Sequence, residues 1–102
     1  MDITIVKDRY MKEYSKLVDS YKSLNIVSLV NNINKAISLS DIENINFHFN
    51  KVSEWNDRVS NLQGARLALN EQYKFLKLPS VNEFLIVFDF VNKEWKFNTD
   101  PN

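Results

Sequence analysis

Apolar residues recur at intervals of three and four along the first quarter of the chain, with polar residues filling most of the positions between them. The stripe consists of Ile3, Val6, Tyr10, Tyr14, Leu17, Val18, Tyr21 and Leu24. This spacing places them on one face of an α-helix and predicts a helix over about residues 2–24. An alternative for the start is a short strand over residues 3–6, with the helix beginning at Asp8.

Two further helices are predicted before residue 78. A second apolar stripe predicts a helix over about residues 26–38, and it consists of Ile26, Val30, Ile33 and Ile37. The segment Ser40-Asp41-Ile42-Glu43 matches a capping box and predicts a third helix from Asp41. That helix is predicted to run to about residue 77 and to end at Leu78-Pro79-Ser80, because proline cannot continue it.

The first part of this third helix, residues 41–52, has two interpretations. Apolar side chains at Ile42, Ile45, Phe49 and Val52 fit a helix. The alternation of Ile45, Phe47 and Phe49 with polar residues fits a strand, which would be a natural third partner for a C-terminal hairpin. We favour the helix for residues 41–52.

The densest apolar run of the chain begins at Phe84 and is interrupted only by Asp89 before it reaches Phe90. Alternation and β-branched and aromatic content predict a β-hairpin over about residues 83–98. A tight turn at Asn92-Lys93 would pair Phe90 with Trp95, Phe88 with Phe97, and Asp89 with Lys96. The alternative is a helix capped by Ser80 and Glu83, with Phe84, Phe88, Val91 and Trp95 on one face.

These elements predict an α+β fold in which N-terminal helices precede a C-terminal antiparallel β-hairpin or small sheet. An all-α helical bundle is the alternative. The chain has 102 residues and no Gly/Ser/Pro-rich linker, so we expect one domain over residues 1–102.

Composition excludes several kinds of site. The chain has no cysteine, one histidine and one glycine, which removes thiolate metal sites, common zinc sites and glycine-rich phosphate loops. We therefore predict no catalytic residues, no cofactor and no metal. No signal peptide or membrane-spanning run is visible, and the lack of cysteine fits a reducing compartment, so we expect a cytoplasmic protein.

The third helix carries the residue types that most often anchor protein interfaces. The predicted partner-binding residues are Trp55, Arg58, Arg66 and Tyr73. The alternative is a plain amphipathic helix whose aromatic side chains lie in the core. A second candidate is the aromatic hairpin face, which would mark a homodimer or partner contact if the helices leave it uncovered. It consists of Phe88, Phe90, Trp95 and Phe97.

Small size, aromatic content and a net charge of zero favour a non-catalytic protein-binding factor of the inhibitor, immunity, anti-defence or adaptor type. The many Asn, Lys and Ile residues are typical of AT-rich genomes, such as those of some bacteria and their phages. One alternative is a nucleic-acid-associated regulator with four phosphate contacts, at Lys12, Lys16, Arg58 and Arg66. The other is a small enzyme that uses His48 or Asp89.

Overall fold

The computed structural model describes residues 2–98. Three helices come first, α1 (Ile3–Ser23), α2 (Ile26–Ser38) and α3 (Ile42–Gln72). A 3-10 turn (Asn82–Phe84) then leads into strands β1 (Ile86–Asp89) and β2 (Glu94–Phe97), which pair antiparallel. This order confirms the predicted α+β class, and the all-helical alternative is wrong.

Aspartate side chains begin two of the helices. Asp2 Oδ1 accepts a hydrogen bond of 2.9 Å from Thr4 N at the start of α1, so the strand alternative for residues 3–6 is wrong. Asp41 Oδ1 accepts one of 3.2 Å from Asn44 N at the start of α3. Each bond satisfies an amide that a helix leaves without an internal partner.

Residues 42–52 are helical and Asp41 is the N-cap, so the helix favoured from the sequence for residues 41–52 forms. They form the first part of one continuous helix, on which Val52, Trp55 and Val59 are all buried on the same side. Phe47 and Phe49, which suggested an alternating strand, lie near the start of α3 and are about half exposed. Burial of the apolar stripe therefore favours the helix over the strand.

The end of α3 differs from the prediction, since the helix stops at Gln72 rather than near residue 77. Leu76 and Leu78 are both buried and pack with Val6 and Tyr10 of α1. Side chains two residues apart point about 200° apart on a helix. The chain leaves the helix because only a non-helical backbone lets both leucines reach α1.

The hairpin forms, but its predicted register is wrong by two residues. Phe88 pairs with Trp95, Ile86 pairs with Phe97, and Phe90 lies outside the strands. A two-residue turn of type I′ or II′ would need positive φ at Asn92, whereas Lys93 has it instead, with φ of 56°. The strands are therefore joined by a four-residue loop over residues 90–93.

Asp89 organises that loop. Its Oδ1 accepts hydrogen bonds from Val91 N (3.0 Å) and Asn92 N (3.2 Å), the pattern by which aspartate stabilises turns. Its Oδ2 lies 3.3 Å from Lys96 Nζ, so the predicted pair forms, although diagonally rather than directly across the strands. The same side chain thus fixes the loop length and links the strands.

Asp89 should also make stability depend on pH. Hydrogen bonds from Asn92, with smaller contributions from Val91 and Lys96, hold the pKa of Asp89 below its ordinary value. A pKa that is lower in the folded chain stabilises it above the unfolded pKa of about 3.9, and this contribution disappears as pH falls through the folded pKa.

We therefore expect Asp89→Asn to lower the free energy of unfolding at pH 7 and to match the wild type at the acidic end of the titration. Urea unfolding at a series of pH values measures this difference, with Asp57→Asn on the exposed side of α3 as the control. A difference between wild type and Asp89→Asn that persisted unchanged in acid would contradict the role of the charge.

Two groups of buried side chains form the core. The larger group joins α1, α2, the middle of α3 and the hairpin. It consists of Leu17, Ile26, Leu29, Val30, Ile33, Val52, Trp55, Val59, Val81 and Ile86. The smaller group packs the chain after α3 against α1, and it consists of Val6, Tyr10, Leu76 and Leu78. The molecule is elongated, at 53 × 27 × 16 Å, because α3 extends past the larger group.

Two asparagine side chains hold the outer edges of the hairpin. On β2, Asn34 Nδ2 donates to Trp95 O (2.8 Å) while Asn34 Oδ1 accepts from Trp95 N (2.7 Å). On β1, Asn56 Nδ2 donates to Ile86 O (2.8 Å) while Asn56 Oδ1 accepts from Ile86 N (2.9 Å). These backbone groups point away from the opposite strand. Each asparagine side chain therefore takes the place of a neighbouring strand and attaches the hairpin to a helix.

Candidate partner-binding surface

Four aromatic rings form a continuous row that starts on α3 and runs across the hairpin to its loop. Ring centroids are 6.0 Å apart for Phe49 and Trp95, 5.3 Å for Trp95 and Phe88, and 5.1 Å for Phe88 and Phe90. All three contacts are edge-to-face, which is a favourable geometry for aromatic pairs. We call Phe49, Phe88, Phe90, Trp95 and the adjoining Val91 the aromatic ridge.

The helices cover only one end of the apolar hairpin face. Ile86 is buried, and the Phe97 ring packs edge-to-face on Tyr21 of α1 at 5.6 Å. The next pair, Phe88 and Trp95, is only partly buried. The apolar face therefore continues from the core on to the surface.

The outer end of the ridge is open to solvent. Phe90 is 82% exposed and Val91 is 89% exposed, while Phe49 is 47% exposed. The four-residue loop causes this exposure, because it removes Phe90 from the strand. Contiguous exposed apolar side chains of this kind are typical of interaction sites, whereas single exposed ones are ordinary.

Of the four residues predicted to bind a partner, Trp55 lies in the core. Its side chain is 4% exposed, and its Nε1 donates a hydrogen bond of 2.7 Å to Phe84 O. The indole therefore anchors the 3-10 turn before β1, which leaves almost none of its surface for a partner.

Arg66 is partly buried and also has an internal contact. Its Nε donates to Leu78 O at 3.0 Å, which holds the segment after α3 against the helix. Tyr10 assists from α1, because its hydroxyl donates to Pro79 O at 2.7 Å, and burial raises the pKa of that hydroxyl.

Arg58 and Tyr73 lie at opposite ends of a shallow groove between α1 and α3. Two adjoining depressions of about 260 and 410 Å³ form it, and they share Glu13, Leu62 and Ala65 in their walls. Arg58 Nη2 is 3.4 Å from Lys16 O, a weak contact on the exposed surface. The structure thus brings two of the four predicted residues, Arg58 and Tyr73, to one groove and leaves their role in partner binding a prediction.

A third concave region, of about 650 Å³, lies between the start of α2 and the first half of α3. His48 contributes to its wall, and the ring atom Nδ1 of His48 is buried without a hydrogen-bond partner in the described part of the chain. Lys51, Glu54 and Arg58 also line it, whereas Asp89, the other residue of the enzyme hypothesis, holds the hairpin loop.

Two observations concern other classes of site. Among residues 2–98, no three His, Asp or Glu side chains converge closely enough to hold a metal ion. None of the helices in the same range combines the length and apolar character needed to cross a membrane.

Sequence reasoning identified much of the aromatic ridge but not all of it. Phe88, Phe90 and Trp95 were predicted to share a face that needs a cover, whereas Phe49 and Val91 were missed. Phe49 lies about 46 residues before Trp95, and no local pattern indicates that the two rings meet. The chain matches no protein-family model, no curated protein and no solved structure.

Proposed function

We propose that this chain is a small, non-catalytic protein-binding factor of the inhibitor, immunity, anti-defence or adaptor type, and that the aromatic ridge contacts its partner. The observation that carries the proposal is the exposed end of the ridge, where Phe90 and Val91 are almost fully open to water. The cytoplasmic location and the bacterial or phage source stay predictions from composition.

Burial of the ridge by a partner would be favourable. Each large apolar side chain that becomes fully buried contributes about 1.5–3 kcal/mol, and aromatic residues are common among the side chains that dominate interface energies. Asn34 holds Trp95 by both of its backbone groups, and Asp89 holds the loop that carries Phe90 and Val91. These bonds hold the backbone at Trp95 and at Val91 before binding, which lowers the entropy lost on association.

The test is affinity capture from a lysate of the source organism, followed by size-exclusion chromatography with light scattering. A Phe90→Ser/Val91→Ser variant removes the exposed end of the ridge. We expect the wild type to retain a stoichiometric partner and this variant to lose at least about tenfold in affinity, since about 1.4 kcal/mol corresponds to a factor of ten.

The matched control is Phe75→Ser. Phe75 is 70% exposed and lies in the turn after α3, at the opposite end of that helix from Phe49. The control should keep the partner. Equal binding by wild type and the ridge variant, or the absence of any retained protein, would contradict the proposal.

A second variant, Arg58→Ala/Tyr73→Ala, tests the groove between α1 and α3. Loss of the partner in this variant alone would move the contact from the ridge to that groove. A homodimer that only the ridge variant dissociates would make a second copy of the chain the occupant of the ridge and would contradict the separate-partner proposal.

A further inference from the structure

The cavity between α2 and α3 has the dimensions of a small-molecule site. Its volume is about 650 Å³, within the range of about 300–1,000 Å³ that ligand pockets occupy. Leu24 and Phe47, which are 62% and 55% exposed, contribute apolar surface to it, and the buried Leu29 and Trp55 close its floor. Asn25, Ser28 and Asn32 add polar groups from the side of α2. An apolar floor with a few polar groups is the usual composition of such pockets.

Two cationic side chains reach this cavity from α3. Lys51 and Arg58 are seven residues apart, about two helical turns, so they project from the same side of the helix. The ion pairs within residues 2–98 are Lys16–Glu13 and Lys96–Asp89, so neither cation has a carboxylate partner there. Among the described residues, Arg58 makes only the weak 3.4 Å contact with Lys16 O, which leaves most of its guanidinium N–H groups available within that range.

One acidic side chain opposes these two charges. Glu54 lies between Lys51 and Arg58 on α3 and also lines the cavity, so these three side chains together leave a formal charge of plus one. The start of α2 adds to the positive potential, because its first turn has no acidic residue and Asn25 makes no capping hydrogen bond with its side chain. The electrostatics of the cavity therefore favour an anion.

We infer that this cavity binds a small organic anion, with a carboxylate or phosphate group held by Lys51 and Arg58 and an apolar or planar body against Leu24 and Phe47. The site is separate from the aromatic ridge, and the inference does not depend on the proposed partner-binding function. A concave pocket favours a small molecule over a protein surface, which is usually met by a flatter patch.

Nuclear magnetic resonance provides a direct test with the ¹⁵N-labelled full chain. The two indole N–H signals serve as probe and internal control, because Trp55 lines the cavity and Trp95 lies on the ridge. The ligands are phenyl phosphate, phenylacetate, inorganic phosphate and the neutral analogue benzyl alcohol. We expect saturable shifts of the Trp55 indole signal with the two aromatic anions, and weaker binding of inorganic phosphate and benzyl alcohol.

Charge variants complete the test. Lys51→Gln and Arg58→Gln should each weaken binding of the aromatic anions at least about threefold, whereas Glu54→Gln should tighten it, because it removes the carboxylate that opposes the two cations. Lys22→Gln, on the last turn of α1 and outside the cavity, is the matched control and should bind as the wild type does.

Three results would overturn the inference. The first is no saturable shift of the Trp55 signal with phenyl phosphate or phenylacetate up to about 10 mM. A site of this size should bind its ligand with a dissociation constant below that concentration. The second is equal binding of benzyl alcohol and the anions, which would show that charge has no role. The third is an unchanged affinity in Lys51→Gln, Arg58→Gln and Glu54→Gln.

Discussion

The substitution Trp55→Ala should lower the free energy of unfolding by about 3–5 kcal/mol, the usual result of deleting a buried tryptophan side chain. Trp55 is 4% exposed, and its ring centroid lies 6.2 Å from that of Tyr21. Its removal leaves a void where α1, α3 and the chain before β1 meet. It also leaves Phe84 O without the indole donor. Because domains of this kind have total stabilities of about 5–15 kcal/mol, the loss is a large fraction of the whole.

Urea unfolding followed by circular dichroism measures this effect without relying on tryptophan fluorescence. Trp55→Phe, which keeps an aromatic ring but removes the N–H donor, should show an intermediate loss of about 1–3 kcal/mol. Leu67→Ala is the control, since Leu67 is on the same helix and 56% exposed, and its effect should stay within about 0.5 kcal/mol. A Trp55→Ala variant as stable as Leu67→Ala would contradict the core position of the indole.

The second large effect is expected at the two asparagines that hold the hairpin. Asn34→Ala and Asn56→Ala should each lower the free energy of unfolding by about 1–3 kcal/mol, because each leaves a partly buried backbone N–H and C=O without a partner. The double variant should lose more than either single one. Two-stranded hairpins are marginal alone, so we expect the hairpin to detach before the helices unfold.

Amide hydrogen exchange localises this effect, while urea unfolding gives its size. Exchange of the Trp95 amide should accelerate in Asn34→Ala, and exchange of the Ile86 amide should accelerate in Asn56→Ala. Each of these backbone N–H groups donates its hydrogen bond to the asparagine that is removed. Asn31→Ala and Asn50→Ala are the matched controls, at exposed positions on the same two helices. They should be neutral or slightly stabilising, because alanine is the better helix former.

If Asn34→Ala loses no more stability than Asn31→Ala, the side-chain amide of Asn34 does not hold β2. The same comparison applies to Asn56→Ala and Asn50→Ala. Unchanged exchange at Trp95 and Ile86 in the double variant would lead to the same conclusion and would leave side-chain packing as the sole attachment of the hairpin.

Features that depend on near neighbours in the chain were predictable. The apolar stripes predicted all three helices, because a period of 3.6 residues brings positions three and four apart to one face. Alternation and β-branched content predicted the hairpin for a similar reason. The capping sequence at residues 40–43 predicted the start of α3, although Asp41 rather than Ser40 supplies the side-chain bond.

Features that depend on distant neighbours were not predictable. The end of α3 is set by where Leu76 and Leu78 pack on α1, and the attachment of β2 is set by a contact between residues 61 positions apart, Asn34 and Trp95. Nothing near Asn34 in the chain distinguishes it from the exposed Asn31 and Asn32. Which of several asparagines meets a strand edge depends on how α2 lies against the hairpin.

The aromatic ridge shows the same division. Local composition indicated an apolar hairpin face, and the three-dimensional packing determined that its inner end lies against Tyr21 while its outer end stays in water. Asp89 stabilises a four-residue loop, so Phe90 lies outside the strand. The position of α3 against the hairpin places Phe49 in contact with Trp95. Periodicity specifies which side of an element is apolar, whereas only the packing of whole elements specifies how much of that side is covered.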